Sequence, residues 1–191
     1  MITAPVLKNA FLQARVNELV DLQNAIDERF MGLPLQRFNY KPNPKSWSIA
    51  ECMQHLLLVY SKYQPVLKST FSKTNLPTTN SEVAYAPSWV GKQFMKFVNP
   101  DKIRKFPAPP AFQPTRGSSH PLSLIQDFKG YLAEVQSFIV RTDIEKIDFQ
   151  KVKIRTSITA WLRFNLGDYF HVETMHSRRH FGQMLRINFS D

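Results

Sequence analysis

One cysteine, Cys52, cannot close an internal disulfide, so the fold must come from packing. Long hydrophobic runs are missing as well: apolar stretches such as Leu56 to Tyr60 are far too short to span a bilayer. The start, MITAPVLKNAFLQARV, lacks the positive segment and apolar core of a secretory signal, which sets the expectation of a cytoplasmic protein without a membrane span. Internal repeats and low-complexity tracts are absent too. What remains is a chain of 191 residues, 43% hydrophobic and 13% aromatic. That is enough to bury a core as a single domain over residues 1–191, with no structural metal required for folding.

Acidic residues are in short supply, 15 against 25 basic ones, for a net charge of +10 and a pI near 9.8. Nucleic-acid binding needs that excess to be clustered. Here lysines and arginines come in ones and twos from Lys8 to Arg186. The densest group is Lys102, Arg104 and Lys105, with a smaller one at Arg178 and Arg179. No run reaches the length of a basic tail, so the expectation is a solvated basic surface and no specific nucleic-acid partner.

Helical periodicity organises most of the chain. Leu12, Val16, Leu19, Ile26 and Phe30 keep to one stripe and predict a helix over 6–31, stopped by Gly32 and Pro34. Ser48 and Glu51 form a capping-box pair that starts the second helix, with Trp47 and Cys52 placed as a hydrophobic staple. Pro65 predicts a kink or an early end there. Eight of the thirteen prolines lie between Pro77 and Pro121. Trp89, Phe94 and Phe97 suggest one short helix in this long connection, which reads as a functional segment or lid over 76–120. Pro121 at a first helical position opens a third helix to about Arg141, on the stripe Leu122, Ile125, Phe128, Leu132, Val135, Ile139. In IDFQKVKI, Phe149, Val152 and Ile154 are placed against the bundle end. Asn165 or Asp168 caps a fourth helix to about Asn188. The expected fold is all-α: a four-helix bundle with a long, Pro-rich connection between helices two and three.

The stretch HVETMHSRRHFGQ, residues 171–183, holds three of the five histidines. His176 and His180 stand four apart, about 40° from each other on a helix, whereas His171 swings about 140° away from His176. Projection puts Leu166, Tyr169, Glu173, His176, His180, Gln183, Met184 and Ile187 on one stripe. Asp168, His171, Met175, Arg178, Gly182 and Arg186 fall on the opposite, mostly solvated face. On the second helix, His55 shares the inward stripe of Ser48, Cys52, Val59, Tyr63 and Val66. Three inward imidazoles need partners in a core, and one divalent cation satisfies all three. Hydrogen bonds to Glu173, Gln183, Tyr63 or backbone are the alternative. Cys52 reads as a small buried hydrophobe rather than a nucleophile. Glu173, one turn before His176, is placed as an acceptor for an imidazole N–H, a fourth ligand, or a general base.

The segment PNPKSWSIAECMQHLLLVYSKY, with Trp47 eight residues before His55, resembles the second-helix signature of the DinB-like superfamily. MHSRRHFGQMLRI resembles its last-helix signature, two histidines four apart followed by a glutamine. The two segments cover about a fifth of the chain. The resemblance implies a four-helix bundle whose metal is held by His55, His176 and His180. It also implies nickel, zinc or iron(II) with open positions, and thiol-dependent S-transfer, isomerisation or hydrolysis of a small-molecule substrate with a low-molecular-weight thiol as cofactor. A homodimer is the expected assembly. Arg104 or Lys105 is placed to meet an anionic thiol. A non-catalytic bundle that dimerises, or that meets anionic partners through its basic surface, is the rival reading.

Overall fold

Hydrogen-bonding side chains set where each helix begins. Asn9 accepts the N–H groups of Phe11 and Leu12 at 3.1 and 3.2 Å, and α1 runs Ala10–Phe30. It starts later than residue 6 because the preceding N–H groups are taken elsewhere, that of Leu7 by Gln13 and those of Lys8 and Asn9 by Asp143. The computed structural model describes residues 1–101, 107–115, 117, 119–159 and 161–187. A single turn, α2 (Leu35–Phe38), then sinks Phe38 into the core.

The expected capping box is present. Ser48 Oγ accepts the Glu51 N–H at 3.1 Å and Glu51 returns the bond to the Ser48 N–H at 2.9 Å, starting α3 (Ile49–Phe71). Pro65 neither ends nor shortens it. The carbonyl left without a donor is that of Ser61; both residues are exposed, so water can take the missing bond. Among the described residues of the Pro-rich connection, the helical pieces are α4 (Trp89–Val98) and a 3₁₀ turn (Pro110–Phe112). The next helix, α5 (Leu124–Ile144), begins three residues after Pro121, since Leu124 and Ile125 first bond back to Pro121 and Leu122 in a tightened turn. It outlasts Arg141 and closes with Ile147 N–H on the Thr142 carbonyl and Lys146 N–H on that of Asp143, Lys146 adopting φ 53°.

Phe149, Val152 and Ile154 are buried as expected. They lead into a hairpin, β1 (Lys153–Arg155) with β2 (Arg163–Asn165), in the antiparallel register Lys153–Asn165, Ile154–Phe164, Arg155–Arg163. Asn165 then caps α6 (Leu166–Leu185), with Asp168 completing a second reciprocal box. Asn188, the expected end of this helix, lies outside the described residues.

The architecture is all-α, a four-helix bundle of α1, α3, α5 and α6 with one small hairpin. Helices α1 and α3 each pack against both α5 and α6, so each pair occupies a diagonal. Two consequences follow. The inward faces of α3 and α6 meet, and α4 lies on the outside of α6. Among the described residues, no helix is long and apolar enough to cross a membrane.

Candidate metal centre

His55 projects from the second turn of α3, on the stripe that also buries Cys52, Val59 and Tyr63. His176 and His180 project from α6, one turn apart. Because α3 and α6 are neighbours, all three imidazoles converge. The Nε2 atom of His176 is 3.2 Å from Nε2 of His55 and 3.1 Å from Nε2 of His180. One ligand atom from each residue fits within 4.8 Å of the others, and the cluster can hold a metal ion. Two nitrogens bound at 2.0–2.1 Å to a shared cation stand roughly 2.8–3.4 Å apart at octahedral to tetrahedral angles, and both separations fall in that range.

Proton placement sharpens the point. His55 Nδ1 donates to the Phe112 carbonyl at 2.6 Å, and His180 Nδ1 donates to Gln183 Oε1 at 3.1 Å. Burial, aided for His176 and His180 by the neighbouring imidazoles and Arg179, pushes all three rings toward the neutral form: His55 lowered, His176 to about 3, His180 well below the ordinary value. A neutral imidazole protonated at Nδ1 presents a lone pair at Nε2. Two such lone pairs therefore face His176 Nε2, which can carry only one hydrogen. At most one proton is shared among three convergent nitrogens, an electron-rich arrangement that suits a cation.

Around this cluster, Trp47 stacks near-parallel on His180, ring centres 5.8 Å apart, and leans on His55 at 4.9 Å. The tryptophan assigned to a helix staple thus forms a wall of the histidine site. His55 and His180 are buried, and His176 keeps partial access to solvent. Neither the Phe112 carbonyl nor the Trp47 wall follows from helical spacing. Gln183 was legible as a hydrogen-bond partner because it lies three residues after His180.

Glu173 is fully buried one turn before His176. Its carboxylate accepts a bond from the Tyr131 hydroxyl of α5, which also lies 2.9 Å from Ser177 Oγ. Burial raises Glu173 to about 7, against the opposing pull of that hydroxyl. Cys52 is buried and its thiol is pushed far up by burial and by Glu51, as befits a core residue.

Two residues assigned to the solvated side of the last helix are not there. Asp168 is fully buried, accepting from Tyr85 Oη at 2.9 Å, from the Ser88 N–H at 3.2 Å and from the Asn165 N–H at 3.2 Å. His171 is half-buried against Phe11 and Tyr85, and burial lowers it to about 4. The helix is covered on that side by α4 and its approach, which an isolated helical projection does not contain. Lys102, Arg104 and Lys105 lie outside the described residues.

The family model of the DinB superfamily matches residues 18–184, a span that holds His55, His176 and His180. The chain belongs to the DinB superfamily. No curated protein and no solved structure matches the chain. Membership in the DinB superfamily accords with the four-helix bundle and with a histidine cluster shared between its second and last long helices.

Proposed function

We propose that this DinB-superfamily protein is a divalent-metal-dependent enzyme in which His55, His176 and His180 hold the ion. The observation that carries this reading is the meeting of three neutral Nε2 atoms with at most one proton between them. Three imidazole nitrogens suit zinc, nickel or iron(II). A divalent cation held by neutral ligands supplies Lewis acidity, lowering the pKa of a water or thiol that it binds.

The protein's own residues supply orientation and proton handling. Phe112 and Gln183 fix the tautomers of His55 and His180, aiming their lone pairs and keeping the rings from turning. Trp47 shields one side of the cluster from water, while the partial exposure of His176 leaves a route in. Glu173, with a pKa raised to about 7, is suited to accept a proton near neutral pH, and Tyr131, itself in contact with Ser177, steadies its carboxylate. The reaction class is thiol S-transfer or hydrolysis on a small electrophilic substrate, with a low-molecular-weight thiol as cofactor in the first case. The 76–120 segment, which already reaches the cluster through Phe112, closes over that substrate, and the working assembly is a homodimer.

The test is turnover of a chromogenic electrophile with a panel of low-molecular-weight thiols, using protein loaded with zinc, nickel or iron(II). Activity with at least one metal and thiol, falling by more than about a hundredfold in His180→Ala while the helical circular dichroism persists, is the expected outcome. Turnover unchanged in that variant would overturn the assignment.

A further inference from the structure

The β1–β2 hairpin is built asymmetrically. Its inner side is core: Val152, Ile154 and Phe164 are buried, and Phe164 stacks on Tyr63 and meets Phe94 of α4 edge-on. Its outer side is basic. Lys153, Arg155 and Arg163 are all exposed, and the register sets Arg155 directly opposite Arg163. Two like charges facing each other across a strand pair repel. Neither arginine has an acidic partner within ion-pair distance among the described residues. Their spacing in the sequence conceals this pairing, since they lie eight positions apart and become neighbours only in the hairpin.

Between the strands, the chain turns apolar side chains outward. Trp161 is 92% exposed, Ile158 63% and Leu162 39%. The turn is nevertheless well tied. Thr156 N–H bonds the Leu162 carbonyl at 3.0 Å, Thr156 Oγ1 donates to the Thr159 carbonyl at 3.0 Å, and Ser157 N–H reaches Tyr63 Oη at 3.1 Å. A tryptophan left in water beside unneutralised arginines combines an apolar wedge with a cationic collar. That pairing matches the boundary of an anionic bilayer, where indole rings favour the headgroup level and Lys and Arg meet lipid phosphates.

We infer that the hairpin tip, Ile158, Trp161 and Leu162, with Lys153, Arg155 and Arg163 behind it, docks this protein reversibly on an anionic membrane surface. A second copy of the chain is a poor occupant, because a symmetric contact would bring the arginine pairs of two strongly basic molecules together. Nucleic acid would meet the arginines but leave Ile158 and Leu162 without an apolar counterpart. This docking surface is separate from the histidine cluster and does not depend on its metal.

The experiment is co-sedimentation of the full chain with vesicles of phosphatidylcholine alone and with about 30 mol % phosphatidylglycerol, over a range of salt. Binding is expected to the anionic vesicles only and to weaken as salt rises. Trp161→Ala should reduce the partition coefficient by about tenfold, and Arg155→Gln with Arg163→Gln by about thirtyfold. These side chains are exposed, so the variants should retain wild-type circular dichroism. Partitioning that ignores both substitutions, no partitioning at all, or a tight complex with short duplex DNA that is equally insensitive to Trp161→Ala would each overturn the inference.

Discussion

His176 Nε2 lies between two imidazole nitrogens whose protons are committed to the far sides of their rings, so the character of the cluster is decided by Phe112 and Gln183 as much as by the histidines. Glu173 raises a separate residue-scale question, because its buried carboxyl faces Tyr131 from α5, whose hydroxyl also meets Ser177, and the nearby hydroxyls of Tyr60, Tyr63 and Tyr169. No cation is paired with it in these contacts. Its folded value, about 7, lies above the ordinary 4.5, so folding favours the protonated form. That stabilisation is complete below about pH 4.5 and is lost as pH rises through about 7. Glu173→Gln removes the titration. Urea denaturation of both proteins should therefore show wild-type stability falling, relative to the variant, by on the order of 2–3 kcal/mol between about pH 5 and pH 8. A difference that stays flat across that window would mean that Glu173 is ionised throughout and is neutralised by some other group.

At the scale of elements, Asp168 ties three pieces together. It caps the first turn of α6 with Asn165, and it holds the approach to α4 through Tyr85 and Ser88. The fit leaves no room: a Cβ on Gly91 of α4 would stand 2.3 Å from the Asp168 carboxyl carbon. Asp168→Ala should destabilise the fold by about 3 kcal/mol or more, since several buried donors lose a charged acceptor at once. Loss of less than about 1 kcal/mol by urea denaturation would show that α4 is held by packing alone. The same residue explains where sequence reading faltered. Helix identity was legible from the stripes of α1, α3, α5 and α6 and from the Ser48–Glu51 pair, because those signals are local. The buried face of Asp168 and His171 was not, because it depends on α4 returning from a distant, aperiodic segment. The end of α5 was misplaced for a related reason, as the left-handed position that closes it holds Lys146 in place of a glycine signal.

On the scale of the whole molecule, the diagonal arrangement of the bundle is what makes α3 and α6 neighbours and so turns two remote histidine motifs into one cluster. The histidines were legible because helical phase fixes which side chains face inward. The Phe112 carbonyl and the Trp47 wall were not, because one comes from a single 3₁₀ turn and the other from the loop before α3, and neither stretch is long enough to show a period. The basic excess also looked dispersed along the chain, although the hairpin register brings Arg155 and Arg163 face to face.

The most direct measurement is the metal content of protein purified without a polyhistidine tag, determined by elemental mass spectrometry after exhaustive dialysis. Close to one divalent ion per chain is expected for the wild type and for His171→Ala, whose ring lies outside the cluster. His55→Ala, His176→Ala and His180→Ala should each lose the ion while keeping their helical circular dichroism, since the core does not depend on it for folding. Metal that is sub-stoichiometric, washes out of the wild type, and is unchanged in the three variants would contradict a metal centre built on these histidines.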